Sequence, residues 1–314
     1  MPRNCVFVVN PASGRGAAKA KWARISRRLD NARVLTTRQR GDGTALAREA
    51  VRFGAEVVVA CGGDGTVSEV AAGIADSEAV LAVIPLGTGN DFSRRLGHGT
   101  NADAALATLD HGKISPLDAI RWTCGGREGL AVNICGCGFD AVVAERINRS
   151  GRMLKGTTAY IVAVLDTLRT FRSVNLRLTI DGETLDTDAM LCAVANAVSY
   201  GGGMKVAPNA RIDDGWLDMV VVKGVSKFEF LRAFPRVFSG SHLDHPLVIS
   251  RQARRVRIEA AESVPCLSDG ELVGRTPIEF EIVPGLLQVL RPSYLPERRS
   301  EAKKMSAPDR EDTG

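Results

Sequence analysis

Three short glycine turns and one acidic pair carry the residue types that phosphate chemistry needs. Residues 62–66, Gly62-Gly63-Asp64-Gly65-Thr66, set three glycines around one aspartate after an apolar run. Glycine lets the backbone turn tightly and approach a ligand closely. Thr66 and Glu69 have the T-x-x-E spacing of a capping box, which predicts a helix opening from Thr66. The free N–H groups of such a helix start attract an anion such as phosphate. A carboxylate beside phosphate is repulsive unless a cation lies between them, so Asp64 implies Mg²⁺. A plain glycine-rich connector with a capping aspartate uses the same residues.

Asn10-Pro11-Ala12-Ser13-Gly14 stands after the first apolar run. Asn10 and Ser13 can hydrogen-bond phosphate or ribose, and a helix N-cap would use them equally well. Gly87-Thr88-Gly89-Asn90-Asp91 repeats the design after a later run. In Asp269-Gly270-Glu271 the glycine bends the chain so that both carboxylates can reach one cleft. A carboxylate so placed could orient a hydroxyl and take its proton during phosphoryl transfer. An ordinary Asp-Gly hairpin turn has the same residues.

The elements that must position these turns repeat one pattern over residues 1–120. CVFVVN, ARVLTT, EVVVA and AVLAVIPL each read as a strand ending in a glycine-bearing turn and followed by a helical pattern. Ala18, Trp22, Ile25 and Leu29 make one helical stripe, and Leu46, Ala50 and Phe53 another. Alternating strands and helices predict a parallel sheet covered on both faces, with its turns gathered at one edge. Thr37 ends the second strand and falls on that edge. From residue 121 to 295 strand patterns dominate, and NLRLTI meets the hairpin signal Asp181-Gly182. This predicts a β-rich sandwich, with helices near residues 155–170 and 226–238. Residues 296–314 carry almost no apolar side chains and are expected to be disordered.

Composition narrows the class. The 314 residues are 45% apolar and 25% charged, which suits globular domains with large cores. A net charge of +5 does not specify nucleic acid, though it favours an anionic nucleotide or membrane surface. Seven cysteines without paired spacing suit buried thiols in a reducing cytoplasm. Cys135-Gly136-Cys137 has no second pair or histidine cluster to make a zinc site. The opening MPRNCVFVVN passes directly into a strand, so no signal peptide is expected. No run approaches the roughly 18–20 apolar residues that cross a bilayer. GRGAAK at 14–19 lacks the third glycine of a dinucleotide fingerprint, and no G-x-x-x-x-G-K-[ST] occurs.

NPxSG, GGDGT and GTGND, in that order, resemble the diacylglycerol kinase catalytic domain, a family that includes diacylglycerol, sphingosine, ceramide and bacterial lipid kinases. GGDGT alone is shared with NAD kinases and phosphofructokinases. The resemblance continues through YGGGMKVAPNARIDDGWLDMVVV and SDGE, to about Tyr294. It implies an α/β N-terminal domain of phosphofructokinase/NAD-kinase type, a C-terminal β-sandwich, and ATP in the cleft between them. The ATP site would comprise Asn10, Pro11, Ser13, Gly14, Thr37, Gly63, Asp64, Gly65, Thr66, Glu69 and Thr88. A structural Mg²⁺ would be held by Asp214 with the carbonyls of Arg211 and Trp216, and Asp91 would connect to it through water. Glu271 would be the general base, supported by Asp269.

The reading expected from this resemblance is an ATP-dependent kinase of a lipid hydroxyl, with diacylglycerol first, in a cytoplasmic protein that visits the membrane. A homodimer is compatible with it. Arg149, Arg152, Lys155, Arg169 and Arg172 are candidates to face anionic headgroups, although such charges also suit a solvated face. Other lipid alcohols, an NAD-kinase-like soluble acceptor, and a catalytically silent nucleotide-binding regulator are the competing readings.

Overall fold

The computed structural model describes residues 4–29, 31–149, 157–201 and 203–293. The first elements are β1 (Cys5–Val9), α1 (Ala17–Ser26), β2 (Arg33–Thr36), α2 (Asp42–Arg52), β3 (Val57–Gly62), α3 (Asp64–Ile74), β4 (Val80–Pro85), α4 (Asp91–Leu96) and α5 (Ala102–His111). Strands β2, β1, β3 and β4 pair in that order, all parallel. β3 and β4 are buried along their whole length, as strands covered on both faces must be. One apolar cluster packs Val58, Ala60 and Leu81 against Val70 and Ile74. The other face packs Phe7, Val59 and Ile84 against Ile25 and Leu106.

Then follow β5 (Lys113–Cys124), β6 (Arg127–Ala131), β7 (Ile134–Gly138), α6 (Phe139–Arg149), α7 (Thr157–Thr170), β8 (Val174–Ile180), β9 (Glu183–Ala195), β10 (Leu217–Lys223), α8 (Lys227–Ala233) and α9 (Arg236–Ser239). The chain ends with β11 (Val248–Ala253), β12 (Arg255–Ala260), β13 (Pro265–Ser268), β14 (Glu271–Arg275) and β15 (Ile278–Arg291). These strands pair antiparallel, as alternating NLRLTI-type patterns require. They enclose a core that includes Trp122, Leu178, Met219, Val256 and Phe280. Asp181 and Gly182 both have positive φ, as a two-residue hairpin turn between β8 and β9 demands.

The two halves share one hydrogen-bonded strand network. β15 pairs antiparallel with β5 and parallel with β4, which continues the N-terminal sheet into the β-rich half. β5 runs unbroken across position 120. The cysteines are all free, and Cys61, Cys124, Cys135, Cys137, Cys192 and Cys266 are buried. No helix among the described residues is long and apolar enough to cross a membrane. The tail from Pro296, and the basic residues Arg152 and Lys155, lie outside the described residues.

Two local expectations are corrected. The capping box does not form: α3 opens at Asp64, its N-cap is Gly63, and no side chain caps it. Thr66 instead accepts a hydrogen bond from Asn10 Nδ2 (3.1 Å). Glu69 accepts from the N–H groups of Gly41 (2.8 Å) and Gly43 (2.9 Å), so it caps α2 across space. The strand pattern expected after residue 121 is interrupted in LAVNICGCGF: β6 ends at Ala131, β7 covers Ile134–Gly138, and α6 starts at once. Gly136 explains the apolar run: a Cβ there would lie 2.2 Å from the Cys192 carbonyl oxygen.

Candidate active site

The glycine turns meet as the sheet requires. Asn10 organises the first turn: its Oδ1 accepts from the Ala12 N–H (3.0 Å) while its amide reaches Thr66. Ser13 Oγ accepts from the Gly63 N–H (3.3 Å), joining the first turn to the second. Gly14 has φ of +58°, and a Cβ there would lie 2.5 Å from the Leu86 carbonyl oxygen, so glycine is required at this contact. Gly87 packs against Gly63 so closely that a Cβ on it would lie 2.5 Å from the Gly63 Cα. Thr37 is buried and its N–H donates to the Val9 carbonyl (2.9 Å). Pro11 is half-buried and Thr88 exposed on the same rim.

Asp64 stands at the start of α3, facing the start of α4. Its Oδ1 accepts from the Phe92 N–H (3.0 Å). Asp91 lies close by: a Cβ on Gly89 would sit 2.9 Å from Asp64 Oδ2 and 3.5 Å from Asp91 Oδ2. Burial pushes the Asp64 carboxyl above the ordinary carboxylate value; the Phe92 N–H opposes this and the Asp91 charge adds to it. Arg94 pairs with Asp91 (3.2 Å).

The acidic hairpin between β13 and β14 lies across from these turns. Asp269 and Gly270 both have positive φ, +47° and +84°, so DG is a two-residue hairpin turn as well as an acidic pair. Asp269 accepts from the N–H groups of Val132 (2.8 Å), Asn133 (2.9 Å) and Ile134 (3.0 Å). Ser68 of α3 donates to the same carboxylate. Asp269 therefore ties the β-rich half to the helix that begins at Asp64. Glu271, the next carboxylate, reaches the second glycine turn: a Cβ on Gly65 would lie 3.6 Å from its Oε1. Burial pushes the Glu271 carboxyl up, Arg40 draws it back, and Glu69 and Asp269 add to the rise. Arg40 Nε lies 3.0 Å from Glu271 Oε1. Glu69 thus holds the α2 turn that carries Arg40, and Arg40 holds Glu271.

A cleft of about 320 Å³ opens between the halves, lined by Asp64, Asp91, Asn133, Tyr200, Asp269 and Gly270 among others. Asn133 is buried, and its Oδ1 has no partner. A buried acceptor beside three carboxylates suits a cation or ordered water. Asp140, Val143, Tyr200 and Met204 line this cleft and also a second, apolar cavity of about 110 Å³. That cavity runs beneath α8 between Phe139, Leu191, Val220, Phe230 and Phe234. Tyr200 donates to Asp140 (2.9 Å) at the junction, where burial pushes the Asp140 carboxyl up.

The proposed Mg²⁺ residues lie apart from the hairpin. Asp214 Oδ1 accepts from the Trp216 N–H (3.1 Å) within a turn that begins at Arg211. Asp118 clasps this turn, accepting from Gly215 N–H (2.7 Å) and Gly285 N–H (2.7 Å). Asp218 is buried, its Oδ2 has no partner, and burial with the nearby Asp214 charge pushes its carboxyl up to about 6. An orphaned carboxylate oxygen beside a second carboxylate fits a hard cation. No group of three or more His, Cys, Asp or Glu side chains placed to hold a metal ion exists among the described residues, so carbonyls and water would complete such a shell. Arg95 donates to the Ala210 carbonyl (3.0 Å), tying the helix of Asp91 to the segment before this turn. A further concavity, about 1190 Å³, is an open charged groove over Asp214 and Arg254, remote in character from the apolar cavity.

The comparisons with known proteins give the family and the fold. The diacylglycerol kinase catalytic domain model matches residues 4–122. The YegS C-terminal NAD kinase beta sandwich-like domain model matches residues 133–291. A diacylglycerol kinase of Mycobacterium tuberculosis is 34% identical over 301 residues, covering 91% of this chain and 94% of that one. The chain belongs to the diacylglycerol kinase family. A diacylglycerol kinase of Bacillus subtilis is 31% identical over 282 residues, covering 87% and 91%. A crystal structure of a Bacillus anthracis protein provisionally named a diacylglycerol kinase superimposes with a TM-score of 0.73 at 27% identity, covering 93% and 99%. As a member of the diacylglycerol kinase family the chain is a kinase-type phosphotransferase. Arg40, Ser68, Asp140, Tyr200, Asp118, Asn133 and Asp218 are candidate site residues that sequence reasoning missed. The signal available for the last three was a lone polar residue inside an apolar run, as in PLDAI, LAVNI and WLDMV.

Proposed function

We propose that the chain transfers the γ-phosphate of ATP to the hydroxyl of a lipid, with diacylglycerol the first candidate. The observation that carries this reading is the juxtaposition of Glu271 with the glycine turns, beside a cleft that continues into an apolar cavity. The donor half, to about residue 120, would cradle the triphosphate along Ser13, Gly14, Gly63, Gly65, Thr66 and Thr88. Asn10, Thr66 and Glu69 already spend their side chains on turn contacts. Their contribution is to hold backbone N–H groups in place. Mg²⁺ carried with the triphosphate would neutralise charge between phosphate oxygens and Asp64, and a second, structural ion would be held by Asp214 with Arg211 and Trp216 carbonyls.

In the reaction, Glu271 takes the proton of the acceptor hydroxyl as its oxygen forms the new bond to phosphorus. The bond between that phosphorus and the bridging oxygen breaks, and its electron pair leaves with ADP. The raised Glu271 carboxyl makes it a better proton acceptor than an ordinary carboxylate. Asp269 positions the hairpin. Tyr200 and Asp140 stand where a polar lipid head would meet its tail. The acceptor is water-insoluble, so the work takes place at a membrane surface. Incubating the chain with labelled ATP and total lipid extract tests the reading. A labelled lipid phosphate monoester, formed only with Mg²⁺ present, is expected. Label entering only soluble acceptors, or none, would refute it.

A further inference from the structure

Five of the eight exposed large hydrophobic side chains among the described residues lie on three consecutive helices. Val162 and Leu165 are on α7, Phe228 and Leu231 on α8, and Phe238 on α9. Phe228 is 76% exposed, so it gives up most of its hydrophobic burial. A surface helix ordinarily turns polar residues outward. Here the inward faces are already satisfied by other residues. Val164 and Leu168 of α7 and Phe230 of α8 pack with Phe139 and Met190. Phe230, Phe234 and Phe238 form a chain of ring contacts at 6.0 and 6.1 Å. Lys227 donates to the Arg169 carbonyl, joining the end of α7 to the start of α8.

Exposed cations outnumber exposed acidic groups around this face, where Asp188 and Asp244 are exposed carboxylates. Arg169, Arg172, Lys227, Arg232 and Arg236 are exposed on or beside the three helices. Of the acidic groups, Asp166 is paired with Arg146, and Glu229 is half-buried near His245. Apolar side chains projecting between cations are the chemistry of a surface that seats in an anionic bilayer. The location agrees. α8 separates this face from the apolar cavity, which Phe230 and Phe234 line from beneath. That cavity, at about 110 Å³, is smaller than one that holds a single benzene, about 150 Å³. A whole acyl chain therefore needs to stay partly in the membrane while its head reaches the cleft.

We infer that the α7–α8–α9 face is a membrane-docking surface for an anionic leaflet, with Phe228 and Leu231 inserted and the flanking arginines on headgroups. The purpose of such docking rests on the lipid-acceptor reading. Its test reads binding rather than turnover, so the two fail separately. The full chain is sedimented with phosphatidylcholine vesicles, with and without about one third phosphatidylglycerol. The native chain is expected to bind the anionic vesicles and to be released by salt. The double variant F228S/L231S is expected to bind about tenfold or more weakly. The variant F53S, an exposed apolar side chain on the other half, is expected to bind as the native chain does. Unchanged thermal unfolding of the double variant shows that the fold is kept. Native-like vesicle binding by F228S/L231S overturns the inference. So does equal loss in F53S, or a native dimer that this double variant dissociates without changing vesicle binding.

Discussion

Replacing Asp269 by Asn removes one charge while changing almost nothing else, and the structure sets the size of the effect. Asn tolerates the left-handed backbone of residue 269 as well as Asp does, so the hairpin turn itself is not penalised. What changes is acceptor capacity. The carboxylate serves three backbone N–H groups and the Ser68 hydroxyl. An amide has one acceptor oxygen, and its NH₂ faces donors. One or two N–H groups of residues 132–134 then lose their partner, at about 1–3 kcal/mol each. The expected destabilisation is about 2–5 kcal/mol, a large share of a typical total of about 5–15 kcal/mol. S68A should cost only about 1 kcal/mol, since the hydroxyl is lost with its need for a partner. Denaturant unfolding of both variants and the double variant measures this, and the pair should couple strongly. A change below about 0.5 kcal/mol in D269N would refute the reasoning. It would mean that water replaces the carboxylate freely and that Asp269 does not join the halves.

Three further outcomes are expected. G87A places a Cβ 2.5 Å from Gly63 Cα and 2.8 Å from Asn90 Oδ1, so it should destabilise by about 1–3 kcal/mol and weaken ATP binding; thermal unfolding and nucleotide titration check this. D214A should remove any rise in thermal midpoint that Mg²⁺ produces in chelator-treated protein; a Mg²⁺ response equal to native would discard the structural ion. D64N should abolish phosphate transfer while leaving the midpoint near native, because its Phe92 contact survives through an amide oxygen; substantial turnover would remove Asp64 from the phosphate site.

The N-terminal sheet was legible because each buried strand ends in a glycine turn whose geometry no other residue allows. Gly14 and Gly87 illustrate this, being fixed by close approach rather than by local pattern. The hairpin at Asp181-Gly182 was legible for a local reason, the positive φ that a two-residue turn demands at both positions. Contacts across sequence were not. Thr66 and Glu69 have capping-box spacing, yet Asn10, 56 residues away from Thr66, and the α2 turn take their side chains instead. Arg40 carried no signal because its partner, Glu271, comes from the far end of the chain. α6 was hidden because it follows β7 without a turn, and the apolar run GCGF reads through the junction. The apolar cavity had no motif at all: its walls are ordinary core residue types from several elements.

The most direct measurement is single-turnover phosphate transfer by E271Q across pH. Arg40 is exposed and Glu271 half-buried, so losing their ion pair should cost about 1 kcal/mol of stability. Transfer should fall by about 10²–10⁴, with ATP affinity within about threefold of native. The native rate should rise with pH through a value above the ordinary carboxylate range, because the base works only when ionised. That limb should be missing from E271Q. Native-like transfer by E271Q, with the acid limb intact, would contradict the account.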